Sequence, residues 1–505
     1  MAITKVTSAL LNSTALTSKA FGTSSIMIGD DATGTIDAAN YNTGLGVDVF
    51  AALTTGDDNI ALGFSALTAN TTGTQNNSVG MNSMVANTTG SNNVAMGVGA
   101  LYANTTADNN TALGHNSLIA NTTGTENVAV GANALDANTT ANDVTAVGYN
   151  SLGANTTGAD NSAFGAYSLD ANTTGVDNTA LGTSALGANT TANANTAVGY
   201  RSLYVNTTGE RNTAIGSNSL DANTTGVRNV AVGFSSLSAA STGDYNTAVG
   251  SYALGDTTTA DNNTAVGYYA LALNTTGASN VAVGKGSLAA NTTASNNTAV
   301  GKEALRENTT GSSNSAYGLY SLLTNTTGAK NSAVGQSALY ANTTASFNNA
   351  FGYESLTANT TGAENSAFGH FSLGANTTGT YNVAVGSNAL AANTTASNNT
   401  AVGREALDAN TTGANNVALG TSALGANTTA DNNIAVGTYA LDANTTGTGN
   451  TAVGYASLTD NQTGTRNTCL GEFAGANATG SENTLIGAYA GHTTTTGSYQ
   501  TIIGY

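Results

Sequence analysis

The stretch from Gly216 to Val232 reads Gly-Ser-Asn-Ser-Leu-Asp-Ala-Asn-Thr-Thr-Gly-Val-Arg-Asn-Val-Ala-Val, and Gly233 starts the same pattern again. With the opening glycine as position 0, this glycine recurs every 17 residues from Gly29 to Gly471, a span of 442 residues and 26 repeats. A 16-residue and a 17-residue repeat follow, which makes 28. Self-similarity at a short fixed period is typical of solenoids, and 17 residues are too few for a pair of packed helices. We therefore predict an all-β, parallel β-solenoid (a β-roll) of about 28 coils.

Recurring Leu and Asn positions predict the interior of each coil. Position 4 is Leu in every repeat from Leu67 to Leu458 except at Met84. A residue type that returns in every coil stacks on its copy about 4.8 Å away, so we expect a leucine spine and a ladder of Asn amides bonded along the stack. The predicted spine comprises Leu118, Leu135, Leu152, Leu169, Leu186, Leu203 and Leu220. The predicted ladder comprises Asn121, Asn155, Asn172, Asn189 and Asn223.

The small apolar residue at position 15 predicts contact with another chain. We place one strand at positions 14–16, running into positions 0 and 1, and a second strand at about positions 3–6. Positions 4, 6 and 16 are then expected inside, so position 15 faces outward, where a solvent-exposed site would tolerate Lys or Glu. A rod that is buried along one face favours cyclic self-association. The predicted inter-chain residues are Ala112, Ala129, Ala146, Ala163, Ala231 and Ala282.

Departures from the repeat divide the chain into four segments. Residues 1–25 lie outside the repeat and are either an attachment segment to a larger assembly or a cap over the first coil, formed as a short helix or an extended arm. Residues 26–62 are divergent first coils, and residues 63–470 are regular repeats. Residues 471–505 are divergent again and form the C-terminal coils or tip.

Composition argues against several classes of partner. Charged residues make up 8% of the chain and its formal net charge is −18, whereas phosphate binding needs basic patches, so we expect no nucleic acid. No apolar run is long enough for a membrane span, and we expect no membrane insertion. Ser and Thr interrupt the apolar stretch near the N-terminus, which makes it a poor secretory signal. The single cysteine, Cys469, replaces Ala at position 15 and is interpreted as an apolar filler.

The repeat resembles two groups of fibrous proteins. Asn-Thr-Ala-Val-Gly, at residues 195–199, resembles the Asn-Ser-Val-Ala-Ile-Gly head repeats of trimeric autotransporter adhesins, although the adhesin repeat is shorter than 17 residues. That resemblance covers nearly the whole chain and implies a left-handed β-roll and a homotrimer. The longer form, with Gly-Tyr-x-Ala-Leu followed by Asn-Thr-Thr-Gly at residues 267–277, is more similar to repeats of bacteriophage tail-fibre and other virion fibre proteins.

These observations favour a non-enzymatic structural fibre of a phage particle: a tail fibre, spike or capsid appendage. It would act as a rigid trimeric rod for attachment to a host surface, made in the host cytoplasm and located in the virion. Near-identical coils offer ladders rather than the unique constellation that catalysis needs. The expected partners are further copies of the chain, other virion proteins through the N-terminal segment, and a host glycan or protein at the C-terminal end. The expected tip contacts are Phe473, Tyr489, Tyr499 and Tyr505.

Other interpretations remain open. A bacterial surface adhesin, or an extracellular filament polymerised through its coil ends, is the main alternative, and an ice-binding solenoid that uses the Thr pairs at positions 8 and 9 is a third. Asn-Thr-Thr matches the N-glycosylation pattern, for which an Asn ladder is the simpler explanation. Asp-Asn-Asn triplets fit Asx turns better than a Ca²⁺ site. His115, His370 and His492 are isolated from other ligand types, so we predict no metal and no cofactor.

Overall fold

The computed structural model describes residues 17–19, 24–29 and 38–505, and the chain divides into two compact units, Met1–Asn246 and Thr247–Tyr505. Each unit is a parallel β-solenoid, and the chain has about 28 turns at 17-residue spacing, in agreement with the predicted fold class. The predicted N-terminal segment falls largely outside the described residues.

Each coil contributes one short strand. In unit 1 the strands are β1 (Thr17–Lys19), β2 (Ile26–Gly29), β3 (Thr43–Leu45), β4 (Ile60–Leu62), β5 (Asn77–Val79), β6 (Val94–Met96), β7 (Thr111–Leu113), β8 (Val128–Val130), β9 (Thr145–Val147), β10 (Ser162–Phe164), β11 (Thr179–Leu181), β12 (Thr196–Val198), β13 (Thr213–Ile215) and β14 (Val230–Val232). In unit 2 they are β15 (Thr247–Val249), β16 (Thr264–Val266), β17 (Val281–Val283), β18 (Thr298–Val300), β19 (Ser315–Tyr317), β20 (Ser332–Val334), β21 (Asn349–Phe351), β22 (Ser366–Phe368), β23 (Val383–Val385), β24 (Thr400–Val402), β25 (Val417–Leu419), β26 (Ile434–Val436), β27 (Thr451–Val453), β28 (Thr468–Leu470), β29 (Thr484–Ile486) and β30 (Thr501–Ile503).

The strands pair in parallel with their copies in the next coil of the same unit. Ser162 lies opposite Thr179 in unit 1, and Thr400 lies opposite Val417 in unit 2. The exception is β1, which runs antiparallel to β2, with Ser18 opposite Ile28. Because β2 pairs with β3 on its other side, β1 occupies the edge that the first coil would otherwise leave open, as a capping segment would.

The predicted second strand at positions 3–6 is wrong. In the coils within residues 38–505 this stretch is a turn, because positions 2 and 4 have positive φ, 54° at Asn218 and 50° at Leu220. A strand needs negative φ throughout, so two left-handed residues two positions apart break the extended backbone. Burial therefore does not alternate here: Ser219 and Leu220 are adjacent and both are fully buried.

The predicted orientation of the strand at positions 14–16 is also wrong. Side chains alternate along a strand, and in β14 it is Ala231 that points inward, while Val230 and Val232 point outward and are half-buried. The alanines predicted to contact another chain (Ala112, Ala129, Ala146, Ala163, Ala231 and Ala282) are each 0% exposed within their own chain. Position 15 is small because it packs inside the coil, and position 16 is the apolar column that faces outward.

The apolar interior of the coil is built mainly from positions 4 and 15. All seven leucines of the predicted spine are fully buried (Leu118, Leu135, Leu152, Leu169, Leu186, Leu203 and Leu220). The glycine at position 0 follows the strand with φ near 135° at Gly216, and a Cβ there would lie 2.4 Å from the carbonyl oxygen of Gly233. Both the backbone conformation and the close approach of the next coil therefore require glycine.

The Asn residues at position 7 form a side-chain ladder. Asn189 Nδ2 donates to Asn172 Oδ1 at 2.9 Å and to the Ala192 carbonyl at 3.1 Å. Asn172 in turn donates to Asn155 Oδ1 at 2.8 Å, and these side chains are fully buried. The same geometry holds at the other predicted members, Asn121, Asn155 and Asn223. A glycan on these amides would displace two hydrogen bonds from a buried nitrogen, so the folded coil uses Asn-Thr-Thr as a structural ladder.

A second Asn ladder, at position 13, ties the backbone of successive coils together. The Asn229 backbone N–H donates to Asn212 Oδ1 at 2.9 Å, and Asn229 Nδ2 donates to the Gly243 carbonyl at 2.7 Å. Each such Asn therefore bonds to the coil before it and the coil after it. Buried amides and carbonyls at the corners are satisfied by these protein hydrogen bonds.

The irregular coils near both ends keep the interior filled by exchanging sizes between positions 4 and 15. Gly475 replaces Leu at position 4, and a Cβ there would lie 2.7 Å from Leu485, which replaces Ala at position 15. Near the N-terminus the exchange runs the other way. Phe50 occupies position 4 and Gly44 occupies position 15, where a Cβ would lie 3.2 Å from the Phe50 ring.

Candidate contact surface at the C-terminal coils

Aromatic side chains line up along the last coils of unit 2. We define the C-terminal aromatic cluster as Tyr439, Tyr455, Phe473, Tyr489, His492 and Tyr505. Successive ring centroids are 6.2 Å apart for Tyr439 and Tyr455, 5.2 Å for Tyr455 and Phe473, and 5.1 Å for Phe473 and Tyr489. Tyr505 continues the series 5.7 Å from Tyr489. The rings thus form an uninterrupted apolar strip with hydroxyl groups.

The repeat itself places these rings. Tyr439, Phe473 and Tyr489 occupy position 2, which has positive φ in every regular coil, and Tyr455 occupies position 1. The backbone of this turn is fixed by bonds to the preceding coil: the Phe473 N–H donates to the Tyr455 carbonyl at 2.9 Å, and the Tyr489 N–H donates to the Glu472 carbonyl at 2.8 Å. Aromatic residues at these two positions therefore project from a rigid corner.

A pocket of about 470 Å³ lies at one end of the strip. Its lining residues are Tyr489, Gly491, His492, Thr493, Thr494, Ile502 and Tyr505. Thr494 Oγ1 donates to the Gly491 carbonyl at 2.6 Å, and Asn477 Nδ2 donates to the His492 carbonyl at 2.7 Å, so the wall of the pocket is tied to the coil beneath it. Rings, an imidazole and hydroxyl groups suit a ligand that has both an apolar face and polar edges.

Three of the four predicted tip residues come together, and one does not. Phe473, Tyr489 and Tyr505 belong to the cluster, whereas Tyr499 stands apart at position 12 with its side chain 78% exposed. The sequence interpretation missed Tyr439 and Tyr455, because it expected contacts only beyond Gly471, and it considered His492 only as a metal ligand. Projecting every aromatic residue onto the repeat would have found the two tyrosines, which share the turn at positions 1 and 2.

A second group of rings lies on the flank of unit 2. Phe351 and Phe368, both at position 16, stack with centroids 5.0 Å apart and planes 8° from parallel. Tyr353 and His370, both at position 1, stack in the same way at 5.5 Å and 5°. His370 is therefore paired with a ring. Within residues 17–19, 24–29 and 38–505, no three His, Cys, Asp or Glu side chains group as a metal site would require.

Other residues singled out in the sequence have structural partners. Asp108 Oδ1 accepts a bond from the Ser91 backbone N–H at 2.6 Å, and Asp431 Oδ1 accepts one from Ala414 at 2.6 Å, so these position 11 carboxylates bridge coils. Burial raises the pKa of the Cys469 thiol to about 12, which leaves it protonated and unreactive at neutral pH. At position 8, Thr224 Oγ1 donates to the Ser241 carbonyl, whereas the position 9 threonines from Thr55 to Thr463 are exposed.

No protein-family model matches the chain, and no curated protein matches it either. In the described part of the chain, no helix has the length and apolar character needed to cross a lipid bilayer.

Proposed function

We propose that this chain is a non-enzymatic structural fibre protein of a phage particle, left-handed and homotrimeric, that attaches the particle to a host surface. The observation that carries the proposal is that the recurrent residues of the repeat connect each coil to its neighbours. Gly at position 0, Leu at 4 and Asn at 7 and 13 all serve the bond between one coil and the next, as Gly216, Leu220, Asn223 and Asn229 illustrate. A chain built so that every coil holds its neighbour is suited to a mechanical role.

The C-terminal aromatic cluster supports attachment through that end. Large exposed apolar groups are costly in water unless a partner covers them, and exposed patches commonly mark interaction sites. Tyr455 is 47% exposed and Tyr489 is 40% exposed, within a strip that continues to Tyr505. In this proposal the strip contacts a host glycan or protein, and the N-terminal segment, which lies largely outside the described residues, joins the fibre to other virion proteins.

Location is the first test. Gold-labelled antibodies against the purified chain should decorate an appendage of phage particles and should leave uninfected cells unlabelled. Labelling confined to the surface of uninfected cells would overturn the phage proposal in favour of a bacterial adhesin or extracellular filament.

Binding is the second test. The purified chain should adsorb to host cells, and replacing Tyr455, Phe473 and Tyr489 by Ser should reduce adsorption by about tenfold or more, since interfaces concentrate their energy in a few aromatic residues. The matched control replaces Tyr149, Tyr167 and Tyr200, exposed tyrosines at the same repeat positions in unit 1. Equal loss in both variants would show that the C-terminal strip has no special role.

One observation favours ice binding as a second candidate. The exposed threonine at position 9 recurs in every coil from Thr55 to Thr463, which gives a regular row of hydroxyl and methyl groups. Only one hydroxyl per coil is available, because the threonine at position 8 bonds to a backbone carbonyl, as Thr224 does. Thermal hysteresis of the purified chain would support this candidate, and its absence would remove it.

A further inference from the structure

In each unit, the outward side of the strands forms a surface without charge. We define the outer strand face as the residues at positions 14 and 16 of strands β3 to β30. No Asp, Glu, Lys or Arg occupies either position in any of these strands, although the chain carries 11 basic and 29 acidic residues. Position 16 is aliphatic or aromatic and partly exposed, reaching 48% at Leu181 and 46% at Leu419. Large exposed apolar surfaces commonly mark interaction sites.

Residue sizes on this face are correlated within each strand. All four aromatic residues at position 16, Phe164, Tyr317, Phe351 and Phe368, have Ser or Asn at position 14 of the same strand. Only two other strands from β3 to β30 have Ser or Asn there, namely β5 and β20. The remaining 22 strands have Thr, Val or Ile at position 14, and none of them carries a ring at position 16.

This correlation is what a packed surface requires. Residues at positions 14 and 16 lie on the same face of one strand, so a larger side chain at one leaves less room at the other when something covers both. A ring facing only water could turn away from its neighbour, and a branched residue beside it would do no harm. Conservation of total volume is a property of interiors and of well-fitted interfaces.

We propose that the outer strand face is the interface between copies of this chain, and that the four strands with rings fix the register of the copies. The proposal rests on the self-association in the proposed function, and it replaces the face at position 15 with the face at positions 14 and 16. A second copy is the occupant because a partner must present a matching feature once per coil over many coils. Another chain with the same repeat does so.

The available area is sufficient. A strand of three residues in a stack of coils about 4.8 Å apart covers about 50 Å² of the face. The 16 strands of unit 2, β15 to β30, therefore offer about 800 Å², close to the roughly 800 Å² per partner of a stable protein interface. Unit 2 alone is thus large enough to hold two copies together.

Because the coils are nearly identical, a separate feature must determine which coil of one copy lies opposite which coil of the next. Sliding one copy by one coil would place most Thr-Ala-Val strands opposite equivalent strands at little cost. It would leave one ring of the Phe351 and Phe368 pair opposite a strand with valine at position 16, either β20 or β23 according to the direction of the slide, and would open a cavity. The rings therefore distinguish the correct register from its neighbours, as register in β-structures generally depends on pattern.

Measuring the mass of the assembly in solution tests whether the outer strand face is the interface. Replacing Val266, Val283 and Val300 at position 16 by Glu should reduce the assembly to monomers without loss of β-structure by circular dichroism. The matched control places Glu at position 12 in the preceding corners, at Asn262, Ser279 and Asn296, and should keep the wild-type mass. A face variant that keeps its mass overturns this interface. A wild-type chain that is monomeric overturns self-association itself and leaves the labelling test of function untouched.

Register is tested by distance measurement. A spin label at Ser387→Cys, an exposed position 1 residue, should give a single narrow inter-chain distance in the wild-type assembly, since Cys469 is buried. Converting all four ring strands, β10, β19, β21 and β22, to Thr-Ala-Val should at least double the width of the distance distribution while the mass stays constant. The control converts β23 from Val-Ala-Val to Thr-Ala-Val and should leave the distribution narrow. An unchanged distribution in the ring variant overturns the register role.

Discussion

The regular coils and the C-terminal coils both fill their interior with one large and one small residue, but they place the two at opposite positions. A regular coil pairs a large residue at position 4 with a small one at position 15, as Leu220 and Ala231 do. The C-terminal coils reverse this, since Gly475 stands at position 4 and Leu485 at position 15, and both arrangements bury their large side chain completely. The two positions lie eleven residues apart in the 17-residue repeat, yet they share one space.

The comparison identifies what the repeat must conserve. Neither the leucine at position 4 nor the alanine at position 15 is required individually, because the pair can be exchanged. The filled volume between them is required, as expected for an interior packed to the density of an organic crystal. The backbone tolerates the exchange, since φ at Gly475 is 60° and φ at Leu458, the regular residue one coil earlier, is 56°.

The largest expected loss of stability comes from truncating the large residue at position 15 of the C-terminal coil. Leu485→Ala leaves small residues at both positions, and it should cost about 2–5 kcal/mol of the free energy of unfolding of the C-terminal coils through the cavity it creates. Hydrogen exchange of strands β28 to β30 measures this locally. Leu220→Ala is the control, because the same truncation in a regular coil should cost a similar amount.

The double variant sharpens the comparison. Gly475→Leu alone should also destabilise, because its Cβ would lie 2.7 Å from Leu485. Combined with Leu485→Ala it recreates the regular coil and should be more stable than either single variant, although Gly491 also faces Leu485 and the rescue will be partial. A double variant less stable than both singles would show that the positions do not share space.

The sequence predicted the elements that repeat exactly and failed where orientation had to be chosen. Period, parallel stacking and the buried leucines follow from residue types that return every 17 positions. The inward side of the strand did not follow, because positions 15 and 16 are both apolar and alternation alone does not say which is inside. The size exchange between Leu485 and Gly475 would have decided it, since only residues that share an interior need to compensate each other.

The turn at positions 2–4 could not be predicted from residue types. Leu at position 4 has a φ near 50° in regular coils, a conformation that leucine rarely adopts, and nothing in its chemistry signals this. Stacking on an identical neighbour holds the residue there, as the bond from the Leu220 N–H to the Ser236 carbonyl at 2.9 Å shows. The aromatic strip was only partly predicted for a different reason: contacts were expected only beyond Gly471, although the positions of the tyrosines in the repeat already place them in successive coils.

A smaller loss of stability is expected when an Asn of the position 7 ladder is removed. The loss should be greater in the middle of the ladder than at its C-terminal end. Asn325 Nδ2 donates to Asn308 Oδ1 and its own Oδ1 accepts from Asn342, both at 2.8 Å, so Asn325→Ala cuts the ladder and leaves a buried acceptor unpaired. Asn461 already ends the ladder with its Oδ1 unpaired, because Ala478 follows it. Asn461→Ala only moves that end to Asn444.

Asn325→Ala should therefore lower the free energy of unfolding by about 1–3 kcal/mol, the usual cost of an unsatisfied buried group, and Asn461→Ala should lower it by less. Urea denaturation of the two variants measures the difference. Equal losses would mean that the ladder contributes coil by coil without any advantage from continuity.

The smallest expected effect concerns the carboxylates at position 5, where five of the regular coils have Asp and the C-terminal coil has Ala476. Asp408 and Asp442 are half-buried and lean over Gly425, whose Cβ would lie 2.7 Å from Asp442 Oδ1 and 3.6 Å from Asp408 Oδ1. Burial raises the pKa of both carboxyls above the usual 3.8, and Glu405 adds to the effect at Asp408.

A raised pKa means that the folded state holds the proton more tightly than the unfolded state does. The stability these carboxyls contribute is complete below pH 3.8 and is lost as the pH rises through the folded pKa. Asp408→Asn with Asp442→Asn should therefore raise the melting temperature at pH 7 and change it little at pH 3. Ala391→Asn, a neutral substitution at the same repeat position, should shift both temperatures equally. A double Asp variant that behaves like this control would show that the two carboxylates are hydrated well enough to ionise freely, and that the alanine of the C-terminal coil brings no electrostatic advantage.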